Sequence, residues 1–121
     1  MNYRTLGRTG WQVSEIGYGM WGMAGWTGSD DDESLQSLDL AIELGCNFFD
    51  TALAYGEGRS ERLLGQALAR HPGRRLYKAT KVPPKNRRWP SERGARLDDV
   101  FPPEHIRRAT EKSLENLRLD Y

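Results

Sequence analysis

Three polar side chains with acid–base chemistry follow two short apolar runs of the sequence. Asp50 ends the run 46–50 (CNFFD), and Tyr55 comes five residues later. Lys81 lies near the end of a second run, 76–82 (LYKATKV). Short apolar runs of this kind predict buried strands. Because parallel strands deliver functional groups at their carboxyl ends, we expect the three side chains to meet at one edge of a sheet.

An aspartate, a tyrosine and a lysine can together form a proton donor for a carbonyl oxygen. A phenol ordinarily has a pKa near ~10, and a neighbouring ammonium favours its ionised form and brings proton transfer towards neutral pH. A carboxylate beside the lysine would keep it protonated and aimed. Each residue alone has a simpler explanation: a turn cap for Asp50, packing for Tyr55 and a solvated charge for Lys81. The three together favour catalysis, and because none can deliver electrons, a carbonyl reduction would need a hydride from a cofactor.

Alternating strands and helices are predicted to position these groups. LGRTG between two short extended segments predicts a hairpin. The first predicted elements are hairpin strands at 3–5 and 11–13, a strand at 13–19 and a glycine- and tryptophan-rich loop at 20–28. A helix follows that begins in SDDDESL, with Asp30 and Glu33 as a capping box, and ends at Gly45. The remaining elements are a strand at 46–50, a helix from about Ser60 to His71, a strand at 76–82, a loop at 83–102 and a helix at 102–119. This alternation predicts an α/β fold with a parallel sheet.

Helical spacing predicts which helix residues are buried. The expected apolar faces are Leu35, Leu38, Ala41 and Ile42 on the first helix, Leu63, Leu64, Ala67 and Leu68 on the second, and Ile106, Ala109, Thr110, Ser113 and Leu117 on the last.

Length, charge and cysteine content limit the kinds of partner. The chain has 121 residues, which suits one domain, and 18 basic against 17 acidic side chains leave a net charge of +1. That balance gives no reason to expect nucleic acid or a membrane surface as partner, and no metal site is predicted. The one cysteine, Cys46, lies in an apolar run and is expected to be a buried core residue. With no secretion signal and no segment long enough to span a bilayer, we expect a cytoplasmic protein.

The spacing of these residues resembles the N-terminal part of an aldo-keto reductase. The pattern G-x-x-x-x-D-T-A-x-x-Y-G-x-G-x-S-E-x-x-x-G runs from Gly45 to Gly65, ATK ends at Lys81, and the opening YRTLGRTGWQVSEIGYG matches as well. The resemblance covers essentially the whole chain, so residues 1–121 are interpreted as the N-terminal portion of a single barrel domain. It implies a (β/α)8 TIM barrel with an N-terminal hairpin across its bottom, truncated here after the first three βα units.

The resemblance also implies an activity and a set of site residues. The implied reaction is the reduction of a small-molecule aldehyde or ketone to an alcohol with NADPH, NADH being the alternative cofactor. By resemblance, Tyr55 is the general acid and Lys81 and Asp50 are its catalytic partners. The positions expected to lie beside the nicotinamide and substrate are Gly19, Met20, Trp21 and Asp50.

One part of the family pattern is missing. The family's fourth catalytic residue is a histidine at the end of the fourth strand, and the sequence ends at Tyr121, where that strand would begin. His71 is interpreted as a cation near a helix C-terminus and His105 as a solvent-facing residue in the first turn of the last helix. Because three βα units cannot close an eight-stranded barrel, we expect an exposed third strand, marginal stability and little or no catalysis by the chain alone.

Other functions and local interpretations stay open. One alternative is a non-catalytic binding or regulatory protein of the same fold, such as the channel-associated subunits that resemble this family. Another is a small flavodoxin-like domain that binds a partner, which the hairpin argues against.

The basic loop at 83–102 is predicted to be a solvated rim of the active site that favours acidic or polar carbonyl compounds over nucleic acid. Trp21 and Trp26 either line a substrate pocket or cover the barrel mouth, and the sequence sets neither the substrate nor the oligomeric state.

Overall fold

The computed structural model describes residues 1–26, 28 and 30–121. Thr27, in the predicted glycine- and tryptophan-rich loop, and Ser29, in SDDDESL, lie outside the described residues. The strands are β1 (Tyr3–Thr5), β2 (Gln12–Ser14), β3 (Tyr18–Gly19), β4 (Phe48–Asp50) and β5 (Tyr77–Ala79). The helices are α1 (Asp31–Glu43), α2 (Arg59–Arg70), α3 (Leu97–Val100) and α4 (Pro103–Leu117), with short 3₁₀ turns at Gly7–Thr9 and Trp21–Ala24.

The predicted N-terminal hairpin is present and closes the amino end of the sheet. β1 and β2 pair antiparallel, with Tyr3 opposite Ser14. Asn47, directly before β4, accepts a hydrogen bond from the Ser14 N–H (2.7 Å) and donates one to the Gln12 carbonyl (2.9 Å). Trp11 stacks on Tyr77 with 4.8 Å between ring centroids. The hairpin therefore lies at the end of the strands opposite to Asp50.

The other three strands form the predicted parallel sheet in the order β3-β4-β5, with Gly19 opposite Asp50 and Asp50 opposite Ala79. The prediction of one strand over 13–19 is wrong. Val13 and Ser14 belong to the hairpin, and only Tyr18 and Gly19 join the sheet, because the intervening backbone is held by contacts such as Glu15 N–H to the Asn2 carbonyl (3.0 Å). Within the described residues, β5 pairs with β4 alone, so its other edge is open, as the sequence predicted.

The hydrophobic core lies between one face of this sheet and the helices. Side chains alternate between the two faces of a strand, and Phe49 points into the core with no exposed surface. Phe48 and Asp50 face the other way and are half-buried. The buried cluster contains Met20, Met23, Leu35, Leu38, Ile42, Cys46, Phe49, Leu63, Leu64, Ala67, Leu76 and Leu117. The predicted apolar faces of α1 and α2 and the burial of Cys46 are thus confirmed, with Ala41 and Leu68 only partly buried at the edge of the cluster.

The predicted buried face of α4 is partly wrong. Ile106 and Thr110 are exposed, and the buried residues are Ala109, Ser113, Asn116 and Leu117. The end of this helix packs closely against α2 at Gly65, where a Cβ atom would lie 2.5 Å from the Asn116 carbonyl oxygen. Burial is therefore confirmed for Ala109, Ser113 and Leu117, and Asn116 is a buried polar residue that hydrophobic periodicity does not report.

The helix ends agree with local sequence signals. The Asp30 carboxylate accepts hydrogen bonds from the N–H groups of Asp32 (2.8 Å) and Glu33 (3.1 Å) and caps α1. Gly45 follows α1 with φ of +95°, a left-handed conformation that suits glycine at this point. Pro103 opens α4, where a missing N–H costs nothing. The segment 83–102 is a loop as predicted, except for the single turn α3, whose Val100 carbonyl accepts a hydrogen bond from the Lys85 N–H (2.8 Å).

His71 has a more specific position than the sequence indicated. It follows α2, as expected, and its Nε2 lies 2.9 Å from Asp39 Oδ1 on α1. Arg70 contacts the other oxygen of the same carboxylate at 2.8 Å. Burial acts to raise the pKa of Asp39, but the hydrogen bonds from His71 and Arg70 outweigh it and hold that pKa below its ordinary value of 3.8. The carboxylate thereby joins α1 to the end of α2.

This linkage predicts a pH-dependent contribution to stability. We expect Asp39→Asn to lower the free energy of unfolding by a few tenths to about 1 kcal/mol near neutral pH. Because the folded-state pKa of Asp39 is depressed, the contribution is fully present above the unfolded-state pKa and is lost as the pH falls through the folded-state pKa. Urea unfolding of both proteins across this pH range measures the difference. The exposed Asp120→Asn is the control, and a difference for Asp39→Asn that persists unchanged in acid would contradict the assignment.

Candidate active site

The structure brings Asp50, Tyr55 and Lys81 together at the carboxyl edge of the sheet. Lys81 Nζ lies 2.5 Å from Asp50 Oδ1 and 2.8 Å from the Thr51 carbonyl oxygen. The same ammonium lies 5.2 Å from the centroid of the Tyr55 ring. The strand predicted over 76–82 is shorter in the structure: β5 ends at Ala79, so Lys81 lies two positions beyond the strand. The three side chains selected from the sequence are therefore neighbours in the fold.

The contacts of the Lys81 ammonium define the electrostatics of this group. A carboxylate and a carbonyl oxygen hold it, and its positive charge faces the π-system of the Tyr55 ring. Such cation–π contacts contribute about 0.5–1 kcal/mol at exposed sites. The lysine and aspartate side chains are 50% and 43% exposed, so the pair is accessible to a small molecule. This arrangement places a fixed positive charge against the aromatic ring of Tyr55.

The turn after Tyr55 is built by two glycines. Gly56 and Gly58 have φ of +63° and +83°. A Cβ atom on Gly56 would lie 2.3 Å from the Ala24 carbonyl oxygen, so this position has no room for a side chain. The turn continues into α2 through a hydrogen bond from the Ser60 N–H to the Tyr55 carbonyl (3.2 Å). The two glycines thus serve a tight turn between Tyr55 and α2.

The residues expected beside a nicotinamide have different environments. Gly19 is opposite Asp50 at the end of β3, and no atom lies within 4 Å of a Cβ built on it. Trp21 is 58% exposed. Met20 is fully buried in the core, and its N–H donates to the Asp50 carbonyl (2.9 Å). Open space at Gly19, the exposed ring of Trp21 and the Asp50 carboxylate fit a flat aromatic cofactor ring, whereas Met20 can contribute only its backbone.

The two loop tryptophans form a row that leads to Tyr55. The ring of Trp26 meets the Tyr55 ring edge-on with 6.3 Å between centroids. The ring centroid of Trp21 in turn lies 5.2 Å from the ring centroid of Trp26. These contacts place both rings next to Tyr55, and they fit either a wall of a substrate pocket or a cover of the barrel mouth.

A cleft of about 820 Å³ adjoins Tyr55 and Lys81. Its volume is in the range of small-molecule sites. The loop at 83–102 forms one wall, as the rim prediction required, and α4 forms another. The cationic side chains that line the cleft are Lys81, Lys85, Arg87 and Arg108. Glu57 is the one carboxylate among the lining residues in the described part of the chain, and it lies 3.5 Å from Arg87. The cleft therefore carries an excess of positive charge.

The prediction that His105 faces solvent is wrong. Its side chain is half-buried, its Nε2 lies 2.7 Å from the Pro83 carbonyl oxygen, and it lines the cleft. The sequence could not show this, because the contact depends on the loop after β5 folding back onto α4.

Sequence reasoning also gave no role to Thr51, Ser60 and Glu61, which are fully buried beside the site, although all three belong to the motif between Gly45 and Gly65.

The sequence profile described as "Aldo/keto reductase family" matches residues 15–121. The chain belongs to the aldo/keto reductase family. L-galactose dehydrogenase of Arabidopsis thaliana is 34% identical over 120 residues, which are 98% of this chain and 35% of that protein. A probable voltage-gated potassium channel subunit beta of the same plant is 32% identical over 127 residues, covering all of this chain and 35% of the subunit.

Solved structures of the family share the fold. The thermostable aldo-keto reductase Tm1743, crystallised with the inhibitor epalrestat, superposes with a TM-score of 0.76 at 33% identity over all of this chain and 40% of that one. The prediction of a hairpin followed by the first three βα units of a (β/α)8 aldo-keto reductase barrel is confirmed. The chain spans about 35–40% of the length of these three proteins. In the part that the structure describes, no helix has the length and apolar character needed to cross a membrane.

Proposed function

We propose that this aldo/keto reductase chain contributes the proton-donating part of a carbonyl reductase that converts aldehydes or ketones to alcohols with NADPH. The observation that carries the proposal is the position of the Lys81 ammonium, held by Asp50 Oδ1 and the Thr51 carbonyl against the Tyr55 ring at the edge of an 820 Å³ cleft. A pure scaffold has no need of this arrangement.

The residues have distinct tasks in the proposed reaction. The Tyr55 hydroxyl donates a proton to the carbonyl oxygen of the substrate as that oxygen gains negative charge. The adjacent ammonium of Lys81 stabilises the phenolate that remains, and Asp50 keeps this ammonium protonated and directed. A bound nicotinamide would supply the hydride, and Gly19, Trp21 and Asp50 would border it.

The charge of the cleft indicates a class of substrate. Lys85 and Arg108 line the cleft without an ion pair among the described contacts, whereas Asp50 offsets the charge of Lys81. A carbonyl compound that also carries a carboxylate or another acidic group would be attracted to this surface.

We further propose a cytoplasmic location, because the single thiol, Cys46, is buried and free.

A regulatory, non-catalytic function is the alternative. It is supported by the similarity to a potassium channel subunit beta over the whole of this chain. A turnover assay separates the two functions only in a protein whose barrel is closed, because β5 has an open edge here. By itself the 121-residue chain is therefore expected to show less than about 1% of an ordinary turnover number of ~10 s⁻¹.

A hybrid enzyme provides the test of the proposed function. Residues 1–121 would replace the matching segment of Tm1743, which aligns with all of this chain. We expect the folded hybrid to oxidise NADPH in the presence of a reactive aldehyde, while the chain alone does so at a negligible rate. A hybrid that folds, by circular dichroism and cooperative unfolding, but has no turnover would favour the regulatory function. Ordinary turnover by the chain alone would contradict the proposed need for a closed barrel.

A further inference from the structure

Two consecutive residues in the first turn of α2 reach the ends of neighbouring strands. Ser60 Oγ lies 2.8 Å from Thr51 Oγ1 and donates to the Met20 carbonyl oxygen at 3.1 Å. Ser60 and Thr51 have no exposed surface. Because Met20 follows β3 and Thr51 follows β4, this hydroxyl joins both strand ends to α2.

Glu61 makes the corresponding connection to the third strand. Its side chain is fully buried. One carboxylate oxygen accepts a hydrogen bond from Thr80 Oγ1 at 2.6 Å, and the other accepts one from Asn116 Nδ2 at 2.8 Å. A carboxyl group is costly to bury unless its oxygens are hydrogen-bonded, and both are. A buried glutamate at this position therefore requires partners from the end of β5 and from α4.

The partner on α4 depends on two glycines of the turn and helix. A Cβ atom on Gly58 would lie 2.4 Å from Asn116 Nδ2. A Cβ atom on Gly65 would lie 2.5 Å from the Asn116 carbonyl oxygen. Both positions therefore need glycine for α4 to approach closely enough to deliver the Asn116 amide to Glu61.

We propose that Ser60 and Glu61 form a clamp that sets the separation between Asp50 and Lys81. Each arm of the clamp holds the residue next to one member of this pair: Thr51 follows Asp50, and Thr80 precedes Lys81. The Thr51 carbonyl is itself a hydrogen-bond acceptor for the Lys81 ammonium, so fixing Thr51 also fixes that contact. The clamp residues are positioning residues, and this role rests on the proposed function of the Lys81–Tyr55 group.

The test measures how firmly Lys81 is held, without cofactor or turnover. The intact chain would be acylated briefly with an amine reagent, and mass spectrometry would give the ratio of labelling at Lys81 to that at Lys78 on β5. Thr80→Val keeps the side-chain shape and removes the donor to Glu61. We expect it to raise this ratio about fivefold, the effect of losing one net hydrogen bond. Thr80→Ser, which retains a hydroxyl, should keep the original ratio.

A matched control separates positioning from general destabilisation. Ala67→Gly weakens α2 at a buried position without removing a clamp contact. As long as circular dichroism shows the variant to be folded, it should leave the Lys81-to-Lys78 ratio unchanged, because Lys81 keeps its contacts with Asp50 and Thr51. An unchanged ratio in Thr80→Val, or an equal rise in Ala67→Gly or Thr80→Ser, would overturn the clamp. Since labelling needs no catalysis, an inactive hybrid enzyme would leave this result unaffected.

Discussion

Tyr55→Phe in the hybrid enzyme is expected to lower kcat by about 10²–10⁴-fold, the contribution of a positioned proton donor. The substitution removes only the hydroxyl group. The ring that contacts Lys81 (5.2 Å) and Trp26 (6.3 Å) remains, so the packing of the site should not change. KM for NADPH should stay within about threefold of its original value, because an interaction made mainly in the transition state changes kcat rather than ground-state binding. Steady-state kinetics with one aldehyde measure both quantities.

Tyr18→Phe is the matched control for this prediction. Its hydroxyl lies 2.6 Å from Ser37 Oγ, away from Lys81, so its loss should leave kcat nearly unchanged. If Tyr55→Phe retained most of kcat while the hybrid remained active, the hydroxyl of Tyr55 would not be the proton donor. The placement of Lys81 over its ring would then be a packing contact alone.

Phe49→Ala is expected to destabilise the fold by about 3–5 kcal/mol, as for the removal of a buried phenylalanine. Phe49 has no exposed surface, lies in the central strand and stacks on Tyr18 with 6.0 Å between ring centroids. Small domains are stabilised by only about 5–15 kcal/mol in total, so we expect this variant of a chain with an open sheet edge to be largely unfolded at room temperature. Urea unfolding followed by circular dichroism measures the change.

The neighbouring phenylalanine provides the control. Phe48 has the same chemistry but points to the opposite face of β4, where it is only half-buried. Phe48→Ala should therefore cost clearly less than Phe49→Ala. Equal costs for the two variants would mean that the helices do not cover one face of the sheet preferentially, contrary to the structure.

Local patterns were sufficient to predict most elements and the proximity of Asp50, Tyr55 and Lys81. The Asp30 cap, Gly45 and Pro103 mark helix ends through contacts within a few residues, so the sequence nearby contains the information. The alternation of strands and helices predicts a parallel sheet, which brings strand ends to one edge. The meeting of Asp50 and Lys81 follows from that rule, although they are 31 residues apart.

Other features depend on which distant groups meet, and a one-dimensional pattern does not contain that information. β3 is short because the hairpin takes Val13 and Ser14. His105 lines the cleft because the loop after β5 returns to α4 and places the Pro83 carbonyl 2.7 Å from its ring. These are long-range contacts whose partners the spacing of neighbouring residues does not identify.

The sequence by itself determined the family resemblance, the order of the elements and the identity of Asp50, Tyr55 and Lys81, because each rests on residue type and local spacing. Only the tertiary structure decided how these side chains are held. Glu61 is buried between Thr80 and Asn116, and the latter lies 55 residues away. Hydrophobic periodicity predicts which face of a helix makes apolar contacts, but it identifies neither this polar network nor the close approach of α4 at Gly65.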